Sequence, residues 1–234
     1  MVSRAHGRVR LAELGVQGGF LYALPENALD RLLDQSVRIT VPAGVCLYQD
    51  DERPRVILVL RGLLRVYLGS AGGREVTIGY ARSGDVAGLE LVQGGPSPLR
   101  IEALTSASVA ALRVETLRAL IETDVRVAGA CAAELGRELR RAFDDLAAQA
   151  FLSVRQRLIL QLLKLATTGR DRHMVVRASH EDLADSVASV REVITRTLDQ
   201  LAREGLVATG RDEVVLLDPV RMSQEVRPDS APDD

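Results

Sequence analysis

The hydrophobic pattern changes period along the chain. Between residue 38 and about residue 114, short β-rich runs at 56–60, 63–68, 76–80, around Ile101 and at 109–114 are broken by turn residues. Gly62, Gly72 and Gly73, Gly84 and Asp85, and Gly94 and Gly95 supply those turns. Their recurrence at roughly 8 to 12 residues predicts an antiparallel sandwich or barrel. From Glu115 the period becomes helical, first to Ile121 and then over 125–150. A helix of the second length spans about 39 Å, more than a small domain needs to cover its own core. A further helix to Leu165, a polar loop at 167–172 and a short strand at 174–177 follow, so the fold class is α+β.

Along 125–150, Ala128, Ala132, Leu135, Leu139, Ala142 and Leu146 alternate steps of four and three, the seam of a two-stranded coiled coil. Glu134, Arg137, Glu138, Arg140, Arg141, Asp144 and Asp145 take most of the remaining surface, which leaves a narrow seam rather than a broad face. The pattern predicts a homodimer. The alternative is that the stripe packs on the chain's own β-domain.

The segment from residue 178 to 222 reads as two helices joined by a tight turn and followed by a hairpin. Ser179 with Asp182, and Ser189 with Glu192, each carry a capping-box pattern at a helix start. Leu183, Val187, Val193, Ile194, Leu198 and Leu201 supply the apolar face. Arg191, Glu192, Thr195 and Arg196 fall in the first two turns of the second helix, where a helix in the major groove meets base edges. Arginine offers two donors to guanine O6 and N7, and glutamate accepts from cytosine N4. Arg191, Glu192 and Arg196 are therefore the candidate base readers. Ser189, Thr195 and Ser179, with the helix N-terminus, are candidates for holding phosphates. Taken singly, Glu192 also reads as a cap and the two arginines as a solvated face near Asp199. The hairpin favours DNA: runs at 207–209 and 214–217 around a Gly210-Arg211-Asp212 turn make a wing. The boundaries read as 1–124 for an N-terminal segment plus β-domain, 125–150 for the dimerisation helix, 151–224 for the winged helix-turn-helix and 225–234 for a flexible tail.

Composition adds exclusions. Hydrophobic residues at 47% suffice for packed cores, while aromatics at 3% and no Trp argue against the stacking platforms of single-strand binders. Lys164 is the only lysine, and arginine is the better fork for phosphate and guanine, although a G+C-rich genome would give the same bias. Cys46 and Cys131 have no metal-ligand or disulfide spacing. No apolar run approaches the ~18 residues of a membrane span, which predicts a cytoplasmic protein. No nucleophile and base pair, phosphate loop or metal cluster stands out, and Asp50, Asp51 and Glu52 before Pro54 read as a charged turn. Neither catalysis nor a cofactor is expected.

Gly62 with its following strand, Gly84-Asp85 and Gly88, Phe151-Leu152 after the long helix, and Arg191-Glu192 with Arg196 form a specific set. With them the span 41–222 resembles the cyclic-AMP receptor protein / fumarate-nitrate regulator (CRP/FNR) family of bacterial transcription factors. The resemblance implies an N-terminal β-roll of the cyclic-nucleotide-binding jelly-roll kind, a long dimerisation helix and a C-terminal winged helix-turn-helix. It also implies a dimer on palindromic TGTGA-like double-stranded DNA, with Arg191, Glu192 and Arg196 in the base-reading positions. RNA polymerase contacts near 167–172 and an activator role follow from the same resemblance.

Two departures stand out. Ala188 occupies the turn position commonly given to glycine, at about 1 kcal/mol if that residue is left-handed. In cyclic-nucleotide-binding relatives a glycine-glutamate-leucine segment holds the ribose and an arginine-serine pair meets the cyclic phosphate. Here the equivalents read Gly88-Leu89-Glu90 and Ser97-Pro98, and the adenine-facing positions are Ala142 and Phe143. An anion in this degenerate pocket has no charge partner, which predicts a regulator working without cyclic AMP. Glu90 and Arg100 taking over from displaced positions is the cyclic-nucleotide alternative. A small-molecule-binding module with a vestigial DNA-binding domain is the alternative of another class. His6, His173 and His180 are poorly placed for haem, and no cysteine cluster supports iron-sulfur sensing.

Overall fold

The computed structural model describes residues 7–48, 55–69, 75–95, 97–169 and 173–226. The expected turns at 50–54 and 72–73, His6, residues 170–172 of the polar loop and most of the expected tail lie outside them. The chain divides into Met1–Ala142 and Phe143–Asp234, and the boundary falls inside one helix.

In the first unit the strands β1 (Val37–Val41), β2 (Cys46–Tyr48), β3 (Arg55–Arg61), β4 (Leu63–Gly69), β5 (Glu75–Arg82), β6 (Val86–Ala87), β7 (Leu99–Ala103) and β8 (Ala107–Arg113) form two antiparallel sheets. Their orders are β1-β8-β3-β6 and β2-β7-β4-β5. Five successive residues of β3, from Val56 to Leu60, are buried, so this strand is covered on both faces rather than alternating. Helices do the covering. α1 (Gly7–Glu13), a 3-10 turn at Phe20–Ala23 and α2 (Glu26–Asp34) precede the sheets and place Leu11, Phe20, Leu29 and Leu32 in the common core. The sequence pattern assigns no element to this segment. α3 (Val114–Thr123) then begins at Val114, the residue expected to close the last strand.

Two glycines explain the shape of the roll. Gly62 has φ +100 in the β3–β4 turn, and a Cβ there would sit 2.8 Å from Ala107. Gly19 has φ +85, and a Cβ would lie 2.0 Å from the Gly84 carbonyl oxygen, so the N-terminal segment docks on the Gly84-Asp85 turn only through bare backbone.

α4 (Val125–Phe151) runs one residue beyond its expected end. The second unit continues with α5 (Val154–Leu165), started by a capping box between Ser153 and Gln156. β9 (Thr167–Thr168) pairs with β10 (Met174–Arg177), so the polar loop expected at 167–172 begins as an edge strand. α6 (His180–Ser186), α7 (Arg191–Arg203), β11 (Val207–Gly210), β12 (Glu213–Leu216) and α8 (Pro219–Glu225) complete the unit, with sheet order β11-β12-β10-β9. The wing turn is Arg211-Asp212, and its left-handed residue is Asp212 (φ 54), not Gly210. α8 extends through Glu225, the first residue of the expected tail. Its signal, an Asp218 cap before Pro219 at the first helical position, stands in the sequence.

Candidate nucleic-acid interface

α6 and α7 meet through buried Leu183, Val187, Ile194 and Leu198. Between them Ala188 is left-handed (φ 50), the strained position anticipated from the sequence. At 100° per residue, Arg191, Thr195, Glu192 and Arg196 span an arc of about 140° on α7, opposite the buried stripe. Arg191, Glu192 and Arg196 are exposed, and among the described residues none of the three has a hydrogen bond or ion pair within the chain. The pairing with Asp199 that a merely solvated face would favour is not formed.

The capping roles differ from expectation. Ser179 forms its capping box: its hydroxyl donates to Asp182 Oδ2 (2.7 Å), its backbone N–H donates to the same oxygen (2.9 Å), and the hydroxyl accepts from Asp182 N–H (3.1 Å). Both donors of Ser179 are committed, so it is a weak candidate for holding phosphate. The expected box at Ser189 is absent. α7 starts two residues later, and Val190 at its N-cap makes no side-chain cap. The leading amides of α7 therefore lack a side-chain acceptor, which suits a phosphate oxygen. Thr195 is half-buried, with its hydroxyl 2.9 Å from His180 Nδ1.

α4 carries two stripes. Val127, Ala130, Cys131 and Glu134 are buried against their own unit, and burial pushes the Cys131 thiol up to about 11. Of the expected seam, Ala128 and Leu135 are half-buried, whereas Ala132, Leu139, Ala142 and Leu146 are exposed. Large exposed apolar residues on α4 are Val125 (83%), Leu139 (55%), Phe143 (59%), Leu146 (63%) and Phe151 (84%). Phe143, assigned from the resemblance to the adenine position, is exposed one residue beyond the seam position Ala142.

In the β-roll, Gly88 is left-handed before a 3-10 turn at Leu89–Gln93. Leu89, where the family's ribose-binding carboxylate would stand, is fully buried in the core. Glu90 accepts a hydrogen bond from Ser97 Oγ at 2.8 Å, and Ser97 Oγ accepts from Leu99 N–H at 3.1 Å. Pro98 is exposed. Strand alternation sets Arg100 on the face opposite Ile101 and Ala103, which face the core, and its guanidinium lies over Gly69.

Sequence reasoning missed Glu138, which was counted as helix surface. It is half-buried, and burial together with the charges of Glu134, Glu90 and Asp85, opposed by Arg141, pushes its carboxyl up to about 7. Glu134, also counted as surface, is buried and pairs with Arg137. The signal was the second heptad stripe: Val127, Cys131, Glu134 and Glu138 repeat at steps of four, three and four. Among the described residues no helix is long and apolar enough to cross a membrane.

The profile of the cyclic nucleotide-binding domain matches residues 38–124, and that of the Crp-like helix-turn-helix domain matches 156–225. The transcriptional regulator LdrP of Thermus thermophilus is 34% identical over 184 residues, covering 76% of this chain and 91% of that protein. The cyclic AMP receptor protein of the same organism is 31% identical over 191 residues, covering 81% of this chain and 88% of that protein. The solved structure of FixK2 from Bradyrhizobium japonicum is similar at a TM-score of 0.72 and 26% identity, covering 83% of this chain and 99% of that one. Two domain profiles in the order of the observed fold, relatives similar over most of their length, and a helix-turn-helix with its wing converge: the chain belongs to the CRP/FNR family of DNA-binding transcriptional regulators.

Proposed function

We propose that this regulator acts in the cytoplasm as a homodimer at palindromic TGTGA-like sites, activates transcription through RNA polymerase, and needs no cyclic AMP to bind DNA. The observation that carries the DNA-reading part is the exposure of Arg191, Glu192 and Arg196 on α7 with no partner in the chain. Base readers must keep their donors and acceptors for the DNA, and these three do. Ser189 and Thr195, with the uncapped start of α7, set register on the phosphates. The seam of Ala128, Ala132, Leu135, Leu139, Ala142 and Leu146 holds the two copies together.

Independence from cyclic AMP is supported by the charge around Glu90. Burial and the charges of Glu134, Glu90 and Asp85, opposed by Arg141, push the Glu138 carboxyl up to about 7, and the Arg100 guanidinium lies over Gly69. A cyclic phosphate entering among them meets like charge rather than the cationic partner that small anions require. The second reading is a cyclic-nucleotide-dependent regulator, favoured by the 31% identity to a protein named cyclic AMP receptor protein.

Binding of the full chain to a palindromic TGTGA duplex and to a scrambled duplex, at one fixed salt concentration, tests the DNA-reading part. The expected preference is at least about a thousandfold. Equal affinity for both duplexes would leave only a phosphate-backbone binder and overturn it.

A further inference from the structure

Within the DNA-binding unit, Arg155 on the first turn of α5 occupies a position that neither the seam nor the base readers explain. Its side chain is 22% exposed, and its guanidinium lies between two carboxylates from different elements. On one side it meets Glu204, the C-cap residue of α7, with Nη2 at 2.6 Å and Nη1 at 3.3 Å. On the other it meets Glu225, the last residue of α8, with Nε at 2.5 Å and Nη2 at 3.1 Å. The environment is built from both ends: Gln200 donates to Glu204 Oε1 at 3.1 Å, and Gln156 donates to the Glu225 carbonyl at 3.2 Å. The two carboxylates raise the guanidinium's affinity for its proton, and Arg155 lowers that of Glu204.

A planar fork that grips two carboxylates bidentately fixes angles as well as distances, which a lysine ammonium does not. α7 spans about 20 Å from Arg191 to Arg203. A small tilt at its C-terminal end therefore becomes a larger displacement at the base-reading end. Base contacts tolerate little of that, because a recognition group must be held within roughly 0.5 Å of its working geometry.

We infer that Arg155 is a positioning residue for base recognition, clamping the C-terminal end of α7 to α8 so that Arg191, Glu192 and Arg196 enter the major groove at a fixed angle. The inference rests on the reading of α7 as the base-reading helix. It gives α8 a function: the helix is the second jaw of the clamp.

The test uses the full chain. Duplexes that bind wild type are selected from a randomised palindromic library, and affinities for the selected and a scrambled duplex are measured over a range of salt concentrations, beside thermal melting. Arg155→Gln is expected to lower the selected-to-scrambled ratio about tenfold while scrambled binding and the salt slope, which counts phosphate contacts, stay as in wild type. Arg155→Lys keeps the charge and is expected to recover the melting temperature without recovering the ratio. If Arg155→Gln fails to fold, Arg155→Lys and Glu225→Gln carry the comparison. A wild-type ratio in Arg155→Lys and Glu225→Gln overturns the clamp and leaves the base readers standing. If wild type selects no sequence, the reading of α7 falls and the clamp falls with it.

Discussion

On α7, Arg191, Glu192 and Arg196 stand exposed and unpaired, while their helix is held from behind by a buried apolar stripe and by the bidentate contacts of Arg155. Around Glu90 the arrangement is reversed: the charged groups sit partly inside the fold and have partners there. Glu90 is bonded to Ser97, Glu134 to Arg137, and Glu138 is held partly neutral near pH 7 by burial and its acidic neighbours. One region keeps its charges available for an external partner, and the other has internalised them. On the proposed reading, the difference places regulation at the DNA-reading helix rather than in anion capture by the β-roll.

That contrast is most severely tested at the seam, because base reading by one copy is too weak to hold a palindrome. Leu139→Asp places a charge on the exposed stripe of α4 and is expected to give a monomer by analytical ultracentrifugation, with at least ~100-fold weaker binding of the palindrome. An intact dimer of this variant would show that α4 pairs through some other face. Arg196→Ala comes next, with a loss of about 1–3 kcal/mol on the selected duplex and relaxed preference at one base pair, read by competition against single-substitution duplexes. Unchanged competition would return Arg196 to the solvated face.

Glu138→Gln sharpens the other half of the comparison. The folded-state carboxyl is pushed up to about 7 from 4.5, so the folded chain holds its proton more tightly than the unfolded chain does. The stability contributed by that proton is complete below about pH 4.5 and is lost as pH rises through 7. Glu138→Gln should therefore melt higher than wild type at pH 8, by on the order of 1 kcal/mol after discounting for partial exposure, and about the same at pH 4. An equal gain at both pH values would mean the carboxyl is ionised throughout. Ala188→Gly has the smallest expected effect: it relieves the left-handed strain but adds freedom to the unfolded chain, for a net gain of at most about 1 kcal/mol in denaturant melts.

Much of this was legible from residue types and periods. The β4 and β5 runs, the long helix and the capping box at Ser179 follow local rules, and local rules suffice where a segment's structure is set by its own pattern. The N-terminal helices were not legible, because Leu11, Phe20 and Leu29 make sense only against the sheets that they cover. Ser189 misled because a serine with Glu192 three residues later satisfies the capping pattern, yet the turn at Ala188 delays the helix to Arg191. Glu138 required both the helix phase and the packing of α4 against its unit.

The most direct test of the central claim is the affinity of the wild-type chain for a TGTGA-type palindrome at fixed salt, measured with and without cyclic AMP. Tight, sequence-selective binding with the same Kd in both conditions is expected. Binding that appears only when cyclic AMP is added would contradict it, because the carboxylates around Glu138 would then have to accommodate the anion they are argued to exclude.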